Sequence, residues 1–153
     1  MLIDFFLFFQ ELDLLEIRLE YLFPFIDKFI IVESCQTFKG SPKPYNFEEN
    51  QKRFQKYLNK IIYYKIDNHY KNSKHLINFL KKSNLKEDKF IYKLLNKHDY
   101  YDKNQFHILL DSYQRECIHI PLNKIAKESD KIILSDLDEI PSIRFIEYLQ
   151  TKE

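Results

Sequence analysis

Residues 2–34 read LIDFFLFFQELDLLEIRLEYLFPFIDKFIIVES, and the order of apolar patterns within them decides the fold. Residues 2–9 form a short, nearly continuous apolar run, the mark of a strand covered on both faces. A helical stripe follows. Leu12, Leu15, Leu19 and Leu22 share one side, while Asp13, Glu16 and Glu20 point elsewhere. Pro24 stops that helix, and residues 28–34, KFIIVES, read as a second buried strand.

The alternation continues outward. Residues 35–46 hold Gly40, the chain's single glycine, with Pro42 and Pro44, and read as an exposed loop. Helical spacing returns over 47–59 through Phe47, Phe54 and Leu58, and 60–66 (KIIYYKI) is a third strand. Within 68–103, rich in Lys, Asn and His, weak amphipathic helices are predicted around 74–82 and 87–97. A longer helix over 104–119 turns Phe106, Leu109, Leu110, Tyr113 and Cys117 inward, and Pro121 should kink or restart it. Residues 131–135 (KIILS) are a fourth buried strand, and 142–150 begin another helix. Strands alternating with helices predict an α/β fold with a mostly parallel sheet flanked by helices. Ligands of such sheets bind beyond the carboxyl ends of the strands, here Phe9 to Glu11, Glu33 to Gln36 and Ser135 to Glu139.

Composition narrows the function. A chain of 153 residues fits one domain, 44% hydrophobic and 31% charged residues fit a soluble globular protein, and a net charge of +1 excludes a general nucleic-acid binder. The 14 Phe and 11 Tyr, with no Trp and abundant Lys, Asn and Ile, reflect an AT-rich coding bias and carry little functional weight. Two isolated cysteines, Cys35 and Cys117, predict a reducing cytoplasmic setting. The apolar start lacks a basic leader and a small-residue cleavage site, and no stretch approaches the about 18 apolar residues of a membrane span.

The strongest local signal is Ile132-Ile133-Leu134-Ser135-Asp136-Leu137-Asp138-Glu139-Ile140-Pro141, where a strand ends in three carboxylates within four positions. Crowded carboxylates repel unless a cation or a proton relieves them. Oxygen ligands suit Mg²⁺ or Mn²⁺, which keep waters and phosphate oxygens as further ligands. In an extended segment Asp136 and Asp138 face the same side and can approach one metal. An equally good local reading is a helix N-terminus at Pro141 favoured by acidic residues, and the two are compatible.

The chain resembles glycosyltransferase family 17, the β-1,4-N-acetylglucosaminyltransferase family. The resemblance rests on residues 6–19 (FLFFQELDLLEIRL), on Val32-Glu33-Ser34 with Thr37-Phe38-Lys39-Gly40 and Lys43-Pro44, on Tyr113-Gln114-Arg115, and on Ser135 to Pro141. It covers roughly 3–66 and 105–150, leaving 68–103 as a variable helical insert of a single 1–153 unit. It implies a GT-A-like (Rossmann-like) fold, a UDP-sugar donor such as UDP-GlcNAc, an inverting reaction, and Mn²⁺ or Mg²⁺ on Asp136 and Asp138. By the same resemblance Glu33 and Ser34 lie near the nucleoside, Phe9 and Glu11 border that pocket, and Arg115 contacts the donor or braces the acidic run. Gln10 and Glu116 stand where the family pattern favours Asn. The chain runs 12 residues past Pro141, so the general base and the acceptor site are expected outside it.

The expected partners are the UDP-sugar, a glycan or glycolipid acceptor, and a second polypeptide supplying the remainder. Lys81, Lys82, Lys86, Lys89 and Lys93 read as a solvated helix face, with peripheral contact to an anionic membrane as the alternative. A salt bridge to a nearby carboxylate competes with donor contact as the reading of Arg115, and Glu16 reads as solvated. His69, His75, His98, His107 and His119 show no zinc spacing, and Cys35 lacks a His or Lys near in sequence to activate it. Competing functions are a non-catalytic remnant or interaction module and, less favoured, a phosphohydrolase of the haloacid dehalogenase type. In the latter the acidic motif would follow the first strand.

Overall fold

The computed structural model describes residues 1–97, 102 and 104–151. Four strands, β1 (Leu2–Phe8), β2 (Lys28–Ser34), β3 (Ile61–Ile66) and β4 (Lys131–Leu134), form one all-parallel sheet in the order β3-β2-β1-β4. The α/β architecture expected from the sequence is therefore the one present. Successive side chains along a strand point to opposite faces. On β1, Leu2, Phe6 and Phe8 face one side and Ile3 and Phe5 the other; on β2, Phe29 and Ile31 oppose Ile30 and Val32. Two cores result, one on each face.

The first core is closed by α1 (Leu12–Leu22), α2 (Asn46–Glu49), a 3₁₀ helix (Gln51–Tyr57) and α7 (Ile143–Thr151). Helix α1 buries Leu15, Leu19 and Leu22 and, unusually, Arg18, all at helical spacing. The second core is closed by α3 (Ser73–Lys82), α4 (Lys86–Lys97), α5 (Phe106–Glu116) and α6 (His119–Ile125). Leu76, Leu80, Ile91 and Leu95 of α3 and α4 are buried beside Leu109 and Leu110 of α5, so the described part of 68–103 builds one face of the domain. His98 and the residues around it lie outside the described residues.

Two elements depart from the periodicity. The helix expected over 47–59 divides at Asn50, which leaves helical geometry (φ −110°, ψ 15°) while its side-chain amide donates to the Asn46 carbonyl at 2.8 Å. The chain resumes as the tighter 3₁₀ form. The fourth strand is an edge strand rather than a buried one: Ile132 is 42% and Leu134 62% exposed, and only Ile133 enters a core. Pro121 falls in the first turn of α6, where its missing N–H costs nothing, so the helix restarts there. Among the described residues no helix is long and apolar enough to cross a membrane.

Candidate functional site

The sheet order fixes where a site can form. β2 and β3 lie to one side of β1 and β4 lies to the other, so the chain changes direction across the sheet between β1 and β4. A crevice opens beyond the carboxyl ends of strands at such a switch point. A cleft of about 270 Å³ is found there. Leu7, Phe8, Phe9 and Glu11 from the end of β1 and Val32 and Ser34 from β2 form one wall, and Gln114 and Arg115 of α5 with Asp136, Leu137 and Asp138 form the other.

The acidic segment is not extended. Glu139 N–H donates to the Asp136 carbonyl at 3.0 Å, closing a turn over Asp136 to Glu139. Asp136 and Asp138 both reach the cleft because Leu137 between them is 6% exposed and packs in the first core. An apolar anchor, rather than strand alternation, presents the two carboxylates. The turn precedes the next helix: Ser142 is the cap of α7, accepting from Phe145 N–H at 3.3 Å, so the carboxylates lie outside that helix's first turn.

Beneath the turn lies Arg18, fully buried. Its Nε and Nη2 donate to the two carboxylate oxygens of Asp4 at 2.9 and 2.7 Å, a bidentate pair with both side chains at 0% exposure. Nη2 also donates to Ser135 Oγ at 2.7 Å. Nη1 donates to the carbonyls of Asp136, Leu137 and Glu139 at 2.8, 3.1 and 3.3 Å. The guanidinium also lies 4.7 Å from the centre of the Phe6 ring.

Arg115 is half exposed and ties α5 to the acidic turn within one wall, its Nη1 2.8 Å from Asp136 Oδ1 and its Nε 3.1 Å from Asp111 Oδ1. Partial burial works against its charge. The hydrogen bond to Asp136 and the charges of Asp111 and Asp136 outweigh that, and its pKa is raised. The salt-bridge reading of Arg115 is thus the one present, and the residue also lines the cleft. Its neighbour Gln114, 5% exposed, donates to the Gln36 carbonyl at 3.1 Å and holds the loop after β2.

Glu33 lies under the cleft rather than on its surface. It is fully buried and accepts from four donors: Lys43 Nζ (2.6 Å), Asn46 N–H (2.7 Å), Phe47 N–H (3.1 Å) and Tyr63 O–H (2.8 Å). It reaches the cleft through Lys43, which lines it and lies 5.4 Å from the centre of the Phe9 ring. Phe38, from the loop whose role sequence reasoning leaves open, stacks on Phe9 with ring centres 6.3 Å apart. That loop turns at Gly40 (φ +91°), a left-handed conformation that glycine adopts without strain. Glu11 directs its carboxylate back to Gln10 N–H at 3.0 Å, just ahead of α1. Ser34 Oγ accepts from Gln36 N–H at 3.2 Å.

Phe9, Glu11, Ser34, Arg115, Asp136 and Asp138 therefore share one cleft, with Glu33 one layer below. Sequence reading missed Arg18, Lys43, Phe38 and Gln114 as parts of the site. The signal for Arg18 is an arginine on the leucine stripe of α1, three residues after Leu15 and four before Leu22. Glu16 is not merely solvated, since Arg53 binds it at 2.8 Å and Asp13 at 2.5 Å.

Among the described residues no three His, Cys, Asp or Glu side chains gather around a common point. At this turn the side chains on the cleft are Asp136, already paired with Arg115, and Asp138. Two carboxylates would leave most of the coordination sphere of Mg²⁺ or Mn²⁺ to other oxygen ligands and would not make an all-protein cage.

A family model, Glycosyltransferase family 17, matches residues 1–84, more than half of the chain. No curated protein and no solved structure matches it.

Proposed function

This chain belongs to glycosyltransferase family 17, and on that footing we propose that the cleft takes the nucleoside diphosphate of a UDP-sugar, with N-acetylglucosamine as the sugar transferred. The family match supports glycosyl transfer in general; the chemistry of the cleft argues for the finer reading. The carrying observation is the place of the acidic turn: it stands at the switch point of the parallel sheet, opposite Phe9 and Ser34 and beside Arg115.

Each group has a task in this reading. The stacked Phe9 and Phe38 rings offer the base a flat apolar wall, and Ser34 offers a hydroxyl to the nucleoside. Asp136 and Asp138 hold the metal–diphosphate, and Arg115 turns from Asp136 towards a phosphate oxygen. Mn²⁺ or Mg²⁺, if held there by Asp136 and Asp138, would supply neutralisation of charge on the departing diphosphate. In the reaction an acceptor hydroxyl on a glycan or glycolipid attacks the anomeric carbon from the face opposite the diphosphate. The carbon–oxygen bond to phosphate breaks, UDP leaves, and the configuration inverts. We assign the general base that takes the hydroxyl proton to no residue of this chain. A GT-A-like fold accords with this scheme.

Isothermal titration of UDP into the protein with Mn²⁺ tests the reading. Binding is expected in the wild type and a drop of about tenfold or more in Asp136→Ala and Asp138→Ala, with unchanged circular dichroism. A wild type that binds no UDP with Mn²⁺ present defeats it.

A further inference from the structure

We propose that the buried Asp4–Arg18 pair is a positioning device that fixes the acidic turn in its presenting conformation before any ligand arrives. The functional half of this statement rests on the reading of the cleft as a metal–diphosphate site.

A guanidinium carries five N–H donors in a rigid plane. At Arg18 the edge formed by Nε and Nη2 is taken by Asp4 of β1, which sets the plane of the group relative to the sheet. The remaining donors converge on one short segment: Ser135 Oγ and the carbonyls of Asp136, Leu137 and Glu139. Ser135 closes the circuit by donating its own hydroxyl proton to the Glu139 carbonyl at 3.1 Å. Three carbonyls of a four-residue turn are thus drawn inward to one cation. With its carbonyls held inside and Leu137 buried, the turn directs the Asp136 and Asp138 side chains outward into the cleft.

A purely structural role is a poor account of this arrangement. A buried ion pair stabilises a fold no better than apolar residues of similar volume. Only an arginine, however, can hold a carboxylate and several carbonyls of a turn in one geometry. A lysine ammonium pairs with Asp4 but is a single point with three donors and cannot span the turn. Groups that orient metal-binding side chains are commonly worth about 10- to 100-fold in affinity.

Two folded variants and two readouts test the proposal. Arg18→Lys keeps the charge, and the double variant Asp4→Val with Arg18→Met removes the pair without leaving a lone buried charge. Amide hydrogen exchange in ligand-free protein is expected to quicken by about tenfold or more at residues 135–139, with β1, β2 and β3 unchanged. Mn²⁺-dependent UDP binding is expected to weaken by about tenfold or more. Exchange at 135–139 as slow as in the wild type, in either folded variant, overturns the proposal, as does UDP binding equal to wild type. A wild type that fails to bind UDP defeats the functional reading alone, and the exchange arm then decides the role of Arg18 in shaping the turn.

Discussion

Replacing Glu33 by glutamine changes one oxygen to an amino group and leaves shape almost untouched, so it isolates the charge buried beneath the cleft. One carboxylate oxygen accepts from Lys43 and Asn46, the other from Phe47 and Tyr63. Glutamine can keep its oxygen on the side of Lys43 and Asn46. Its NH₂ then faces the Phe47 N–H, donor against donor, while the Tyr63 hydroxyl can rotate and accept. The loss is one buried N–H left without an acceptor, about 1–3 kcal/mol, and the charge assistance at Lys43, about 1.5 kcal/mol. Lys43 is only 8% exposed, so water compensates little. The sum, about 3 kcal/mol, is roughly 100-fold in the folding equilibrium and about 6–12 °C in Tm for a domain of this size. Urea unfolding followed by far-ultraviolet circular dichroism measures it. A loss below about 1 kcal/mol would show that the four-donor arrangement around Glu33 does not exist in solution.

Four further outcomes follow from the geometry. Gly40→Ala places a methyl 2.7 Å from Phe106 Cε1 at a positive φ, and a loss of about 1–3 kcal/mol is expected in the same urea assay. Arg115→Ala removes a half-exposed ion pair, so stability should move by less than about 1 kcal/mol, while titration should show UDP binding weakened about tenfold; a stability loss with unchanged binding would make Arg115 a brace alone. Burial chiefly pushes the phenols of Tyr45, Tyr63, Tyr70 and Tyr113 up, and that of Tyr64 up to about 12. Their contribution is complete below the ordinary tyrosine value of about 10 and is lost as pH rises above it. Tm should therefore fall steadily from pH 10 upward, and a flat profile to pH 11.5 would contradict this. Burial also pushes the Cys117 thiol up to about 12, so iodoacetamide at pH 8 should leave Cys117 unmodified in native protein and label it in urea, as read by mass spectrometry.

The strands and helices were legible because their apolar periods are clean. KFIIVES is β2 without a shift, and the leucine stripe of α1 ends where Pro24 demands. The sequence hides what depends on distant partners. Asn50 divides a helix through its own side chain, an event that periodicity does not register. The edge position of β4 is invisible because an apolar triplet reads as buried whichever strand lies beside it. For the site, types and order pointed to the cleft, yet Glu33 and Ser34, neighbours in sequence, face opposite sides of the sheet. Glu33 therefore goes beneath the cleft while Ser34 lines it. Arg18 went unread because an arginine on a helix is ordinarily solvated, and its acceptors in the acidic turn lie more than a hundred residues away.

The ladder between β1 and β4 joins Leu2–Phe5 to Lys131–Leu134, and the N-terminal ammonium donates to Asp130 at 2.5 Å. During synthesis on the ribosome, the first strand must wait until Lys131–Leu134 is made before its second neighbour exists. A nascent chain that has not yet released Leu134 carries one orphaned flank of β1. Such late, far-apart pairing makes folding slow relative to helical proteins. It also makes completion of the cleft wait on that pairing, so a chain interrupted before Leu134 has neither the second neighbour of β1 nor the acidic turn that follows it.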